Sequence, residues 1–336
     1  VKWLSFYENI YKISYNSTMK QKIEKAIEYR KEFYEDKETT AFRVFNNSGD
    51  GIDGLTIDFY DGYYLITWYN IDRYKDKDKI VDILKLAPLY KGIYQKKRFD
   101  TVAMYLDDND DFIAGTNAPE PLIVKENGVN FAVYLDDGAM TGIFLDQKDV
   151  RKTIRDKYSN GKTMLNTFSY TGAFSVYASL GGAKKTTSVD LARRSLVKTK
   201  EQFSVNNINP DSQNIVVQDV FGYFKYALKK NITYDLVVLD PPSFARTKKM
   251  SFSVLKDYTK LLKEAIAITN KDGVIVASTN SSKLGLGMFM DFVKTAFREL
   301  NIKYEIKENF SLPKDFKVDS NIRDSDYLKV LFIKRK

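Results

Sequence analysis

Between residues 18 and 35 (TMKQKIEKAIEYRKEFYE), Ile23, Ala26, Ile27 and Tyr34 recur at helical spacing among Lys and Glu, which predicts an amphipathic surface helix. From 41 to 70 the period shortens: the β-rich runs AFRVF, LTIDFY and YYLITWYN are separated by NNSGDGIDG and by Asp61-Gly62, which are turn signals between strands. A helical DKIVDILKLA and a strand GIYQKKR extend this into a small α+β domain over residues 18–121. Its polar end, DDNDDFIAGTNAPEP, predicts a boundary loop near residues 107–121.

Beyond that loop, LIVKENGVNFAVYL predicts a β-hairpin turning at Asn127-Gly128. The pattern then alternates strand and helix: TMLNTFS, YTGAFSVYASLG, KTTSVD, LARRSLVKTKEQFSVNN, NIVVQD, VFGYFKYALKK, YDLVVLD, SVLKDYTKLLKEAIAIT, GVIVASTN, LGMFMDFVKTAFREL, and two closing strands, IKYEIKENF and YLKVLFIKR. Such alternation predicts an α/β domain over residues 122–336 with a mostly parallel, doubly wound sheet. Ligands of such sheets bind at the carboxyl ends of the strands. No internal repeat or low-complexity tract interrupts it.

Composition narrows the chemistry chiefly through two zeros, since the chain holds no Cys and no His. Disulfides, Cys-based zinc or iron–sulfur sites, thiolate nucleophiles, Ser-His-Asp triads and His general bases are thereby excluded, and no metal site is expected. Without a long apolar run or a charged-then-apolar leader, no membrane association is expected and the cytoplasm is the default compartment. The net charge of +9 divides unevenly: residues 1–125 carry 19 Lys+Arg against 21 Asp+Glu, and residues 126–336 carry 34 against 23. A basic half of this kind suits a polyanionic partner, most often nucleic acid, although a Lys surplus serving solubility would give the same totals.

Candidate chemistry collects at predicted strand ends. Leu165–Ser175 (LNTFSYTGAFS) runs from a strand through a tight turn into a helix, where backbone N–H groups meet nucleotide-like ligands. Gly172 is its only glycine, so the G-x-G-x-x-G cradle for a pyrophosphate is absent. Asp190 ends the next strand, in the position from which a carboxylate accepts ribose hydroxyls, Asp219 ends the third near where an adenine amino group would lie, and Asp240 ends the fourth. Each of these acids alone could equally be a helix N-cap. In Leu239–Lys249 (LDPPSFARTKK), Pro241 and Pro242 stop the strand and stiffen a loop that presents Phe244 to a flat substrate. Arg246, Lys248 and Lys249 are suited to its phosphates.

LNTFSYTGAFS, SVDLARRS, QDVF and VLDPPSFARTKKM resemble the successive motifs of class I S-adenosylmethionine-dependent methyltransferases. More closely they resemble the bacterial 23S rRNA methyltransferases, a group holding both cytosine-C5 and guanine-N7 enzymes. Asn47–Tyr60 resembles that group's middle-domain signature, Thr141–Arg151 its hairpin-to-helix signature, and Leu312–Phe316 with Tyr327–Lys329 its C-terminal strands. The resemblance implies a Rossmann-like methyltransferase domain, S-adenosyl-L-methionine as cofactor, and 23S rRNA or a large-subunit assembly particle as partner. It also implies that residues 1–17 are the remnant of a PUA-type RNA-binding domain. By the same resemblance Asn166, Phe168, Tyr170 and Gly172 line the cofactor pocket, Gln147 sits near the methionine end, Asp190 holds the ribose and Asp219 contacts the adenine. Asp240, Pro241, Pro242 and Phe244 then form the substrate-facing loop.

The zeros bear on the target atom. Transfer to pyrimidine C5 needs a nucleophile at C6, and the cytosine-C5 relatives supply a Cys after the fifth strand, at a position held here by Asn280. Guanine N7 carries an in-plane lone pair and needs neither thiol nor base. The tail of DPPSFARTKKM also looks more like the guanine-N7 relatives, so N7 is the expected target. Cytosine C5, or an exocyclic amine assisted by Asp240 and a Pro carbonyl, is the alternative, and a non-catalytic RNA-binding or ribosome-assembly module is the alternative of another class.

Overall fold

A computed structural model describes residues 18–99, 111–138, 140–246, 251–322 and 325–336. The expected remnant at residues 1–17, together with Lys248 and Lys249, lies outside the described residues. The chain divides into two compact units, residues 1–145 with 313–325, and residues 146–312 with 326–336.

In the first unit, β1 (Ala41–Asn46), β2 (Leu55–Tyr60), β3 (Tyr63–Trp68), β4 (Gly92–Lys97) and β5 (Phe112–Gly115) form one sheet in that order, antiparallel except for the parallel pair β3/β4. Against it pack α1 (Thr18–Tyr29), α2 (Lys31–Glu35) and, within the β3/β4 crossover, α3 (Ile71–Tyr74) and α4 (Lys77–Leu84). Phe42, Phe45, Ile57, Tyr64 and Trp68 are buried in its core with Ile23 and Ile27 of α1. The stretch expected to be a boundary loop contains β5, whose Phe112 and Ala114 pair with Tyr94 and Ile93. Its neighbouring aspartates mask an edge strand only four residues long. The hairpin β6 (Leu122–Glu126) and β7 (Val129–Val133) turns as expected on Asn127 (φ 49°) and Gly128 (φ 79°), the left-handed pair of a type I′ turn. It belongs to the first unit, so the break in packing falls at 145/146 and not at 121/122. Alternation identified the hairpin but carries no information about which core it joins.

The single helix expected over 18–35 breaks at Arg30, whose side chain is fully buried. Its guanidinium donates Nη1 to Asp50 Oδ1 (2.8 Å) and Nη2 to Asp50 Oδ2 (2.7 Å), and both Nε and Nη2 donate to the Asp315 carbonyl (3.0 and 2.7 Å). Asp315 Oδ2 in turn accepts from Arg43 N (2.9 Å). A Cβ on Gly49 would lie 1.8 Å from the Lys317 carbonyl oxygen, so that glycine is needed for residues 313–325 to pack here. The Asn47–Tyr60 signature is thus in part a docking seat for a late segment of the chain.

In the second unit, β8 (Thr163–Thr167), β9 (Lys185–Asp190), β10 (Asn214–Val217), β11 (Tyr234–Leu239), β14 (Thr269–Thr279), β15 (Tyr304–Phe310) and β16 (Lys329–Arg335) form a sheet of order β10-β9-β8-β11-β14-β16-β15. The first five are parallel, β16 is antiparallel to β14, and β15 is antiparallel to β16. A small hairpin, β12 (Phe244–Arg246) with β13 (Ser251–Ser253), follows β11 and was not evident in the sequence. The helices are α5 (Lys148–Thr153), α6 (Ala173–Leu180), α7 (Arg193–Ser204), α8 (Val220–Lys229), α9 (Val254–Ala267) and α10 (Leu286–Glu299). Strand alternation divides the core: Val237, Leu239, Ile275 and Ala277 pack with α8, α9 and α10, while Leu236, Val238, Val274 and Val276 pack with α5 and α6. This is the doubly wound, Rossmann-like α/β fold expected. Strand order reverses at β8/β11, and the register pairs Leu239 with both Thr167 and Ala277, so three carboxyl ends open at one place. No helix of the described residues is long and apolar enough to cross a membrane.

Removing one partner of a buried ion pair leaves the other charge unsolvated. Asp50→Ala is therefore expected to lower stability by about 3–5 kcal/mol in urea titration, with Asp50→Asn less severe because its amide oxygen still accepts from Arg30.

Candidate active site

The turn from β8 into α6 is strained. Phe168 (φ 52°), Tyr170 (φ 51°) and Gly172 (φ 78°) are all left-handed, and two of them are aromatic. What holds it is Asp190: its Oδ2 accepts from Tyr170 N (2.9 Å) and its Oδ1 from Ala192 N (2.9 Å), while Ser169 N donates to the Val189 carbonyl (3.1 Å). Each carboxylate oxygen keeps a lone pair beyond these bonds, so a fixed, half-buried Asp190 can accept two neighbouring hydroxyls. Gly172 has a further reason to be glycine, since a Cβ there would approach Thr199 Cγ2 of α7 to 2.5 Å. Phe168 lies beside Phe252, with ring centroids 6.3 Å apart.

Two residues make structural hydrogen bonds that the resemblance did not imply. Asn166 is 1 % exposed and donates Nδ2 to Ser175 Oγ (3.2 Å), which bonds Ser188 Oγ (2.8 Å), so it ties β8 to α6 and β9. Asp219 is the N-cap of α8, accepting from Gly222 N at 2.8 Å through Oδ2. Its Oδ1 accepts no hydrogen bond among the described residues, so capping leaves it capacity for a ligand.

The densest polar cluster surrounds Asp240, directly after β11. Gln147, 3 % exposed, donates Nε2 to Asp240 Oδ1 (3.2 Å) and to Ser278 Oγ (2.9 Å). Burial pushes the Asp240 carboxyl up to about 6; the Ser278 hydrogen bond opposes this, Asp146 raises it further, and Arg151 and Gln147 lower it. The Ser278 carbonyl accepts from the fully buried Tyr258 hydroxyl at 2.6 Å. Gln147 Oε1 is buried without a hydrogen-bond partner, a vacancy that costs about 1–3 kcal/mol unless a ligand N–H or O–H fills it. Pro241 is buried, Pro242 is exposed, and Phe244 is 62 % exposed at the start of the β12–β13 hairpin. Ser243 bridges to the next strand end, donating Oγ to Asn280 Oδ1 (2.8 Å). Arg246 has its backbone in β12, opposite Ser251.

The sequence reading missed Ser278, Asp146 and Arg151. Ser278 is hidden in the apolar run GVIVAST; its only signal is the polar interruption at the last residues of a buried strand. Asp146 and Arg151 flank Gln147 in a segment without strand or helix periodicity of useful length. A buried unpartnered acceptor at Gln147, a spare oxygen on the half-buried Asp219 and the remaining lone pairs of Asp190 are chemically compatible with an adenosyl ligand carrying an amino-acid tail.

The raised Asp240 value has a defined consequence for stability. The folded state binds a proton more readily than the unfolded chain, so stability falls as pH rises through roughly 4 to 6 and stays lower above. Asp240→Asn is expected to be more stable than the parent above pH 6 by about 1–3 kcal/mol, with the difference vanishing near pH 4 in thermal melts. Gly172→Ala is expected to cost about 1–3 kcal/mol; adding Thr199→Ala should recover the steric part and leave the backbone part.

The sequence model of S-adenosylmethionine-dependent methyltransferases matches residues 42–326. The Bacillus subtilis (strain 168) protein YwbD, named provisionally as a ribosomal RNA large subunit methyltransferase, is 57% identical over 316 residues, 94% of this chain and 80% of its own. Ribosomal RNA large subunit methyltransferase I of Pseudoalteromonas translucida (strain TAC 125) is 28% identical over 315 residues, 94% of this chain and 79% of its own. The crystal structure of SMU.776 complexed with SAH superposes with a TM-score of 0.88 at 41% identity, covering 96% of this chain and 82% of that one. With the strand-end acids and the doubly wound sheet, these findings establish that the chain belongs to the S-adenosylmethionine-dependent methyltransferase family and is an enzyme of that class.

Proposed function

We propose that this enzyme methylates N7 of a guanine in large-subunit ribosomal RNA, directly and without a covalent enzyme intermediate. The names of its relatives and the basic surplus of residues 126–336 support the RNA class. The observation that carries the choice of atom is Asn280: it stands at the end of β14 where a C5 enzyme needs a thiolate, and the chain has no Cys. An amide whose oxygen already accepts from Ser243 cannot add to a pyrimidine ring.

On this reading Asp190 accepts the two ribose hydroxyls of the cofactor, Asp219 Oδ1 accepts from its adenine amino group, Gln147 Oε1 accepts from its ammonium, and Phe168 and Tyr170 flank it. Bound there, S-adenosylmethionine supplies an electrophilic methyl group. Phe244 and Pro242 stack the target base, while Arg246, Lys248 and Lys249 neutralise its phosphates. Guanine N7 attacks with its own lone pair, and no proton leaves in the step. The base becomes cationic as it is methylated, and the Asp240 carboxylate, held in place by Gln147 and Ser278, stabilises that charge.

Nucleoside mass spectrometry of ribosomal RNA from a deletion strain tests the proposal. Loss of 7-methylguanosine, restored by the parent gene and not by Asp240→Ala, is expected. Loss of a 5-methylpyrimidine or of an N-methylated exocyclic amine, with 7-methylguanosine unchanged, would refute it.

A further inference from the structure

The Ser243–Asn280 bridge has a chemical polarity. Ser243 lies in the loop after β11, and Asn280 immediately follows the neighbouring parallel strand β14. The hydroxyl donates to Asn280 Oδ1 at 2.8 Å. In this arrangement the amide's acceptor end is engaged on the loop side, which leaves Nδ2 with its two N–H groups unengaged. Among the described residues no acceptor receives that nitrogen. Both residues are exposed, and Phe244 beside Ser243 is 62 % exposed, so the amide stands at the rim of the surface where the target base would stack.

A free N–H donor beside a reacting N7 discriminates between purines. Guanine places the acceptor O6 next to N7, whereas adenine places an amino donor there. The donor therefore attracts guanine and repels adenine, and because it engages O6 it leaves the N7 lone pair free to attack. Resting on the guanine-N7 reading, we propose that Asn280 is the specificity-determining residue of this enzyme: its Nδ2 donates to guanine O6, in an orientation held by Ser243.

The test uses the full chain with labelled cofactor and an unmodified ribosomal RNA fragment, after the nucleotide methylated by the parent enzyme has been mapped. A second RNA carries 2-aminopurine at that nucleotide, which keeps N7 and the 2-amino group and lacks O6. The parent should prefer the guanine RNA by about 10- to 100-fold in kcat/KM. Asn280→Asp, which exchanges the donor for an acceptor at constant shape, should lose activity on guanine and little on 2-aminopurine, so that the preference collapses. Asn280→Ala should collapse it as well, and Ser243→Ala should weaken it, since an unpinned amide can turn. Calorimetric binding of S-adenosylmethionine and the melting temperature should be unchanged in all three, which separates this role from folding. If the parent's labelled product is not 7-methylguanosine, the N7 reading and this role fall together. If it is 7-methylguanosine and Asn280→Asp keeps the parent's preference, or loses both RNAs equally, only the role of Asn280 is overturned.

Discussion

The polar cluster at the mouth of the second unit's sheet is built on one carboxylate held where carboxylates are least comfortable. Asp240 sits at the mouth of the sheet, where burial pushes its carboxyl up to about 6, and Ser278, the nearby Arg151 and Gln147 act against that rise. Those residues come from different parts of the second unit: Gln147 from the turn before α5, Ser278 from the end of β14, Asp240 from the end of β11. Only the register that aligns Leu239 with Thr167 and Ala277 brings them together. The parallel sheet is in this sense the positioning device, and its two apolar faces are what make that device rigid.

A second local conflict lies across the sheet order, in the left-handed Phe168 and Tyr170. Left-handed aromatics are rare because their Cβ crowds the backbone, and here Asp190 compensates by fixing Tyr170 N and Ala192 N. The same acid retains lone pairs beyond these bonds, so the residue that holds the turn in its strained form is also the one proposed to accept the ribose hydroxyls. Strain at the turn and an unsatisfied amide oxygen at Gln147 are costs to the free protein, and on the proposed reading a ligand at Gln147 offsets the second. Sites optimised for binding are expected to carry such costs.

Much of this was legible in the chain. Alternating strands and helices announced the doubly wound sheet, and the Asn127-Gly128 pair announced its hairpin, because both are local patterns with one physical reading. Asp190 and Asp240 stood out because a carboxylate at a strand end is conspicuous. What escaped was non-local. β5 was lost among aspartates, since four residues paired at a sheet edge leave no periodicity. The return of residues 313–325 to the first unit is held by Arg30 and Asn46, 285 and 271 positions away from their partners. Asn166 ties β8 to Ser175 through a buried hydrogen bond, a contact set by side-chain direction and invisible to spacing. Asp219 is both a cap and an acceptor with a free oxygen, so the two readings of it were never exclusive.

The claim on which the mechanism turns is that Asp240 must be charged while the methyl group is transferred. Single-turnover rates measured between pH 5 and 8.5 address it directly, comparing the parent with Asp240→Asn on the same RNA. The account predicts a parent rate that rises through an apparent pKa near 6 to a plateau, and a lower, flat profile in the variant. A flat parent profile, or the same rising limb in Asp240→Asn, would contradict it.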